Sequence, residues 1–267
     1  MTVASAFRCL LIFVAYHPGE AEVSRLQACL ARLADDVGYA VIANDHRPGE
    51  AVDVLREGAT LFVSSQSNAG YGRAINQVVR TLAEQGELPE FLGALNTDLA
   101  WEQGTFETLL NWLVAHPDVA LAVPQLLDPE GIPQRLCKQH PTLLGLFSRR
   151  FIPERFKPSW LRRYDCWYVM AGHDYSQVLD VPYLSGCCML MRASAFIAVE
   201  GFDDTFFLYL EDADLTRKMA RVGRTVHLPE GAVTHHWGRG NHRSKRLTLV
   251  NFHSAWIYFR KWGTRWM

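Results

Sequence analysis

Residues 9–19 read CLLIFVAYHPG. Eight apolar residues in succession, with β-branched and aromatic members, stop abruptly at His17-Pro18-Gly19. That is the pattern of a strand buried on both faces. Working outward, Val23, Leu26, Leu30 and Leu33 recur at helical spacing, and Tyr39 to Ala43 forms a second apolar run. It ends in the polar turn Asn44-Asp45-His46-Arg47-Pro48-Gly49. Val52 to Leu55 suits a short helix and Thr60 to Ser64 a third strand. Strand alternating with helix at this pace predicts an α/β fold with a doubly wound, mainly parallel sheet. Ligands of such sheets bind beyond the carboxyl ends of the strands, where Asn44 and Asp45 fall.

Asn68-Ala69-Gly70-Tyr71-Gly72 then leads into the helical pattern Ala74, Val78, Val79, Leu82. The glycines permit a tight turn, and free N–H groups at the helix start can hold an anion or simply begin a helix. Phe91 to Leu95 is another apolar strand, ended by Asn96-Thr97-Asp98. A carboxylate there can bind a divalent cation together with diphosphate oxygens, or it can serve as a polar turn or helix cap. A helix is expected over Phe106 to Val114 and a strand over Val119 to Pro124.

From Leu126 to Val181 the periodicity fades into prolines, scattered aromatics and the basic cluster Arg149, Arg150, Arg155, Lys157, Arg162, Arg163. A long aperiodic stretch of this kind reads as a lid or acceptor-binding insertion. A strand is expected over Pro182 to Arg192, and a helix over Ala193 to Val199. The stretch from Phe206 to Trp237, FFLYLEDADLTRKMARVGRTVHLPEGAVTHHW, places Glu211, Asp212 and Asp214 on a helix's first turn. The macrodipole favours acids there. The histidine pair His235-His236 closes a following strand, and acids with imidazoles are the parts of a base-plus-metal site. Aromatics of the tail, such as Trp256 and Phe259, mix with Arg260 and Lys261, which suits core packing or a lipid headgroup layer.

At 267 residues, 49% hydrophobic and 21% charged, the chain can build a large core, and its formal charge of -1 gives no reason to expect nucleic acid. Six cysteines without a CxxC pair form no zinc or disulfide framework, which fits buried thiols in a reducing cytoplasm. The apolar run within residues 1–16 is too short to span a bilayer and has no basic leader. A cytoplasmic protein is expected, with contact at the inner face of the cell membrane.

The segments NAGYGRAIN (68–76), LNTD (95–98), LSGCCMLMRASAFIAVEGFDDTFFLYLEDADLTRKMARVG (184–223) and VTHH (233–236) occur in a telling order. Together they resemble the GT-A-fold family 2 glycosyltransferases, in particular the bacterial rhamnosyltransferase-like branch. The third segment is the specific one, and the resemblance runs over nearly the whole chain. It implies a single GT-A unit over 1–267, with a nucleotide-sugar-binding half to about 125 and an acceptor-binding, catalytic-base half beyond it. It also implies an inverting transfer of a sugar, plausibly L-rhamnose from dTDP-rhamnose, onto a hydroxyl. The acceptor would belong to a lipid-linked glycan or a cell-envelope polysaccharide such as lipopolysaccharide.

By motif position the resemblance makes Asp212 the catalytic base, with Glu211 beside it as orienter or substitute. It makes Asp98 the ligand of Mg²⁺ or Mn²⁺, joined by His235, with His236 as the fallback. The donor would be bound by Tyr16, Asn44, Asp45, Asn68, Gly70, Arg73, Asn96, Thr97 and Asp98. The acceptor would meet Gly186, Glu211 and Asp212. The chain departs from the family pattern in reading Asn44-Asp45-His46-Arg47 after the second strand, and Asn96-Thr97 before the metal acid. Two other readings compete: a non-catalytic sugar-nucleotide-binding scaffold, and another nucleotide-using α/β transferase.

Overall fold

The computed structural model describes residues 7–236 and 245–267. Residues 1–6 of the opening run and Trp237, the last residue of the 206–237 stretch, lie outside the described residues. The strand at residues 9–19 forms β1 (Cys9–Ala15), sealed from water along nearly its whole length. Both faces are covered because β1 is central, pairing in parallel with β2 (Val37–Ala43) and with β4 (Phe91–Asn96). β3 (Leu61–Ser64) adds to the outer edge of β2, again in parallel. The crossovers are α1 (Glu20–Leu30), a 3-10 turn over Ala51–Arg56 and α2 (Tyr71–Gln85). The short helix expected at Val52 to Leu55 is this tighter turn.

Beyond β4 the chain adds β5 (Leu99–Trp101), α3 (Thr105–Ala115), β6 (Val119–Leu127), α4 (Leu143–Phe151) and α5 (Ser159–Tyr168). Then follow β7 (Leu179–Asp180), β8 (Cys188–Arg192), α6 (Ala193–Ala198), α7 (Glu211–Met219), β9 (Arg224–His235) and α8 (Lys245–Trp262). The strands form one sheet in the order β3-β2-β1-β4-β8-β6-β9-β5, with β7 also paired to β9. The N-terminal strands are all parallel, whereas β8 runs antiparallel to both β4 and β6. β9 returns parallel to β6. The far end of β9 pairs antiparallel with β5, setting His235 opposite Leu99. That register carries the histidine to the residue after Asp98.

Two expectations change. The aperiodic 126–181 stretch holds α4 and α5, helices of 9 and 10 residues separated by prolines and a 3-10 turn. Their apolar residues face more than one partner, so no simple stripe shows. The strand expected from Pro182 begins only at Cys188, because residues 184–186 leave the ladder to bond α7: Leu184 N–H donates to Thr216 Oγ1, and Gly186 N–H to Asp212 Oδ2.

A second apolar cluster, apart from the sheet core, joins Tyr183, Phe206, Leu210, Ala213, Tyr258 and Phe259. It fastens α8 to the turn that delivers the acids. Asp214, fully buried on α7, accepts from Trp262 Nε1 at 2.7 Å and Lys261 Nζ at 3.0 Å. A buried carboxylate is tolerated when so paired, so the third acid of EDAD is an anchor for α8.

Candidate active site

The carboxyl ends of β1, β2 and β4 open into a cleft of about 330 Å³. Of the expected donor-binding residues, Tyr16, Asn44, Asn68, Gly70, Asn96, Thr97 and Asp98 line it. Glu22, Tyr71, Phe207 and Leu208 line it too, although nothing in their spacing marks them in the sequence. Thr97 donates its hydroxyl to Glu22 Oε1. Glu22 sits in the first turn of α1, a place where an acid is ordinary on any helix.

The turn after β2 separates its two polar residues. Asp45 has φ of 53° and turns its carboxylate to His17, which also bonds Glu50; those hydrogen bonds, Asp45 first, raise the His17 pKa. Asn44 is buried in the cleft wall with its Oδ1 unpartnered, a free acceptor facing a ligand space. The structure does not bring Asp45 to the cleft lining. Arg73 is absent from it as well, since its guanidinium donates to the carbonyl of Asp204 on the far side of α2.

Gly70 starts α2 at φ of +91°, and a Cβ there would lie 2.3 Å from the carbonyl oxygen of Phe207. Asn68 Oδ1 accepts from Gly70 N–H at 2.9 Å and holds the turn. This contact lets the segment before α7 close over the donor cleft. That segment is itself bent sharply, for Tyr209 and Leu210 both adopt positive φ, 71° and 64°. Consecutive non-glycine residues in this region are strained, and such strain concentrates at functional sites. Burial of Phe206 and Leu210 in the second cluster holds the bend.

At the cleft's inner end, Asp98 and His235 face each other with Oδ2 and Nε2 3.4 Å apart. Asp98 Oδ1 and His235 Nε2 are both buried and lack hydrogen-bond partners. Gln134 settles the imidazole tautomer: its amide nitrogen donates to the carbonyls of Leu127 (3.3 Å) and His235 (3.1 Å). The Gln134 oxygen therefore faces His235 Nδ1 at 3.1 Å and accepts a hydrogen bond from it, which turns Nε2 toward Asp98. His236 lies on the opposite side of the strand and reaches Asp98 only through its backbone N–H; burial lowers its pKa. Of the pair, His235 is the one whose ring faces the Asp98 carboxylate.

An unpartnered carboxylate oxygen beside a bare imidazole nitrogen fits a hard-to-borderline divalent cation. Among the described residues no group of three or more side chains forms a self-contained metal cage. Two protein ligands leave positions for diphosphate oxygens, the usual arrangement for Mg²⁺ in nucleotide sites.

The paired acids open α7. Asp212 accepts from Gly186 N–H at 3.0 Å and Ala213 N–H at 2.9 Å, and the Tyr183 hydroxyl also bonds it. Burial raises its pKa, opposed first by the charge of Lys138 and then by those N–H groups. Glu211 is more deeply enclosed, has an unpartnered Oε2, and is pushed up to about 8 by burial and then by the Asp212 charge. Gly186 is a close-approach position, since an added Cβ would stand 2.9 Å from Asp212 Cβ. Its carbonyl accepts from Tyr71 at 2.8 Å, linking the acid pair to the donor cleft. Gln134, Lys138 and Tyr183 went unseen in the sequence because they come from the aperiodic stretch and its exit, far from the residues they serve.

No family model matches the chain. A curated relative, the N-acetylglucosaminyl-diphospho-decaprenol L-rhamnosyltransferase of Mycobacterium tuberculosis, is 29% identical over 272 residues, covering 92% of this chain and 85% of the relative. Among solved structures, the mannosyltransferase of Pyrobaculum calidifontis in complex with GDP-mannose and Mn²⁺ superposes with a TM-score of 0.57 at 14% identity, over 88% of this chain and 58% of that one. The structure of GalNAc-T7 with UDP, GalNAc and Mn²⁺ gives 0.61 at 11% identity, over 86% and 44%. This chain thus spans less than two thirds of either solved chain. The fold is that of the GT-A glycosyltransferases, and the resemblance to the rhamnosyltransferase-like branch extends over nearly the whole sequence.

Proposed function

We propose that this chain is an inverting, divalent-metal-dependent family 2 glycosyltransferase that moves L-rhamnose from dTDP-rhamnose to a hydroxyl of a lipid-linked glycan. The observation that carries the reading is the Asp98–His235 pair: two unpartnered ligand atoms at the end of a cleft, one β-strand register away from each other. The whole chain acts as a single GT-A unit, the donor held by residues up to about 125 and the acceptor by those beyond. Its site of work is the inner face of the cell membrane, in cell-envelope polysaccharide synthesis. Among the described residues no helix is long and apolar enough to cross a membrane.

In this reading Asn44 Oδ1 accepts from the nucleobase, and Tyr16 and the Gly70 turn flank it. Asp98 and His235 hold Mg²⁺ or Mn²⁺, which when bound offsets the charge that gathers on the departing diphosphate. Asp212 takes the proton of the acceptor hydroxyl as that oxygen attacks the anomeric carbon from the face opposite the diphosphate. Burial raises its basicity, and the Lys138 charge and its N–H partners oppose that rise. Glu211, whose carboxyl pKa is raised by burial, orients the acceptor through a hydrogen bond. Gly186 leaves room for the acceptor beside Asp212.

A panel of nucleotide sugars incubated with Mn²⁺ and an extract of prenyl-linked acceptors tests the proposal. Metal-dependent release of free nucleoside diphosphate from dTDP-rhamnose supports it. Release from no donor in the panel would sink it and favour the scaffold reading.

A further inference from the structure

A second cavity, of about 590 Å³, lies between α4, α8 and the C-terminal residues. Its size falls in the range of about 300–1,000 Å³ usual for small-molecule sites. Leu143, Phe147 and Phe151 of α4 face Phe252 and Phe259 of α8, with Trp266 at one end. The cavity is held open by structure rather than by chance. Leu143 and Leu144 N–H groups donate to the carbonyls of Arg265 and Trp266, which pins the tail alongside α4. Phe151 stacks on Phe252 at 5.8 Å between ring centroids. Phe147 is 54% exposed, Phe252 54% and Trp266 75%, so aromatic surface of this size lines the mouth uncovered.

One wall of the groove packs against the residues that hold the acid pair. Phe259 lines the groove and also packs in the cluster with Tyr183, Leu210 and Ala213 that carries the start of α7. Two cations accompany this wall, one beside Asp212 and one on α4. The ammonium of Lys138 lies 4.3 Å over the ring of Tyr183 and, among the described residues, makes no ion pair. Arg149 sits on α4, exposed, close enough for its charge, after burial, to depress the Lys138 pKa while Asp212 opposes it. Two neighbouring cations beside the carboxylate of Asp212 suit a dianionic group.

We propose that the α4–α8 groove seats the isoprenoid tail of a polyprenyl-diphosphate-linked acceptor, with its diphosphate on Lys138 and Arg149 and its sugar directed to Asp212. The order groove, cations, base matches the order tail, diphosphate, sugar in such a lipid. A phospholipid bilayer alone would use the exposed aromatics but leave Lys138, enclosed beside the acids, unexplained. The inference rests on the acceptor reading above and adds to it a subsite and a dependence on tail length.

Binding of polyprenyl diphosphates of ten and fifty-five carbons, read by tryptophan fluorescence, tests it on the full chain. The longer lipid is expected to bind at least 10-fold more tightly. Phe252→Glu is expected to abolish that preference, and Phe252→Leu, which keeps the apolar wall, to preserve it. Equal affinity for both lengths overturns the proposal, as does a Phe252→Glu variant with the preference intact. Equal competition by anionic phospholipid vesicles free of prenyl lipid overturns it in favour of a bilayer-docking face. Dimerisation in sedimentation that Phe252→Glu disrupts, without length preference, overturns it in favour of a second copy. Length-dependent binding with no sugar transfer from any donor would leave the groove standing and remove the catalytic reading. Equal transfer to short and long acceptors would do the reverse.

Discussion

His235 Nε2 lies 3.4 Å from Asp98 Oδ2, and the register that sets His235 opposite Leu99 is what brings the two together. The Gln134 oxygen accepts a hydrogen bond from Nδ1 on the other side of the ring and so fixes the ring's orientation. The pair is prearranged, so the chain spends little ordering entropy when a cation arrives.

From this arrangement, Gln134→Leu should weaken Mn²⁺ binding by about 10–100-fold, the usual scale for losing a partner that orients a metal-bound histidine. Asp98→Asn should weaken it further. Electron paramagnetic resonance of free Mn²⁺, titrated with dTDP present, reads both. Unchanged affinity in the Gln134 variant would mean that the tautomer is set by something else.

The acid pair makes unequal demands. Asp212→Asn should lower kcat by about 10²–10⁴-fold, the range for loss of a general base, with donor affinity held. Glu211→Gln, which keeps a hydrogen-bond donor, should cost less. Steady-state kinetics on one donor and acceptor pair compares them; a larger loss from Glu211→Gln would exchange the roles.

Stability should depend on pH through Glu211. Its carboxyl is raised from 4.5 to about 8 in the folded chain, so the unfolded chain ionises first as pH rises. Folding must then recover a proton, and native stability falls as pH rises from about 4.5 toward the folded value. Glu211→Gln reduces this dependence to what the raised Asp212 carboxyl supplies. Denaturant unfolding should therefore find the variant more stable than the parent at pH 9 but not at pH 5. A gap equal at both pH values would contradict the burial argument.

Gly186→Ala should crowd Asp212 directly. The added methyl would come within 2.9 Å of Asp212 Cβ while leaving the donor cleft lining untouched. Activity should drop at least 10-fold with dTDP affinity unchanged, measured by calorimetry beside kinetics. A parallel fall in nucleotide affinity would show that the 184–186 segment supports the donor instead.

Much of the sheet was legible because β1 is buried on both faces and says so in seven apolar letters. β5 was not, since three residues carry no period. Asn44 and Asp45 looked equivalent until the positive φ at Asp45 sent one carboxylate to His17 and left the amide in the cleft. The EDAD acids were legible as a group, but the separation of Asp214 as an anchor from the other two required α8, whose Trp262 and Lys261 hold it. Gln134 serves a histidine 101 residues away from it, and no local pattern can announce such a bond.

The central claim is tested most directly by incubating the chain with dTDP-L-rhamnose, Mn²⁺ and a purified polyprenyl-diphospho-N-acetylglucosamine, then weighing the lipid product by mass spectrometry. The account predicts a product heavier by one rhamnosyl unit, lost on chelation of the metal and in Asp98→Asn and Asp212→Asn. An acceptor of unchanged mass in the presence of metal and a folded, dTDP-binding chain would contradict it.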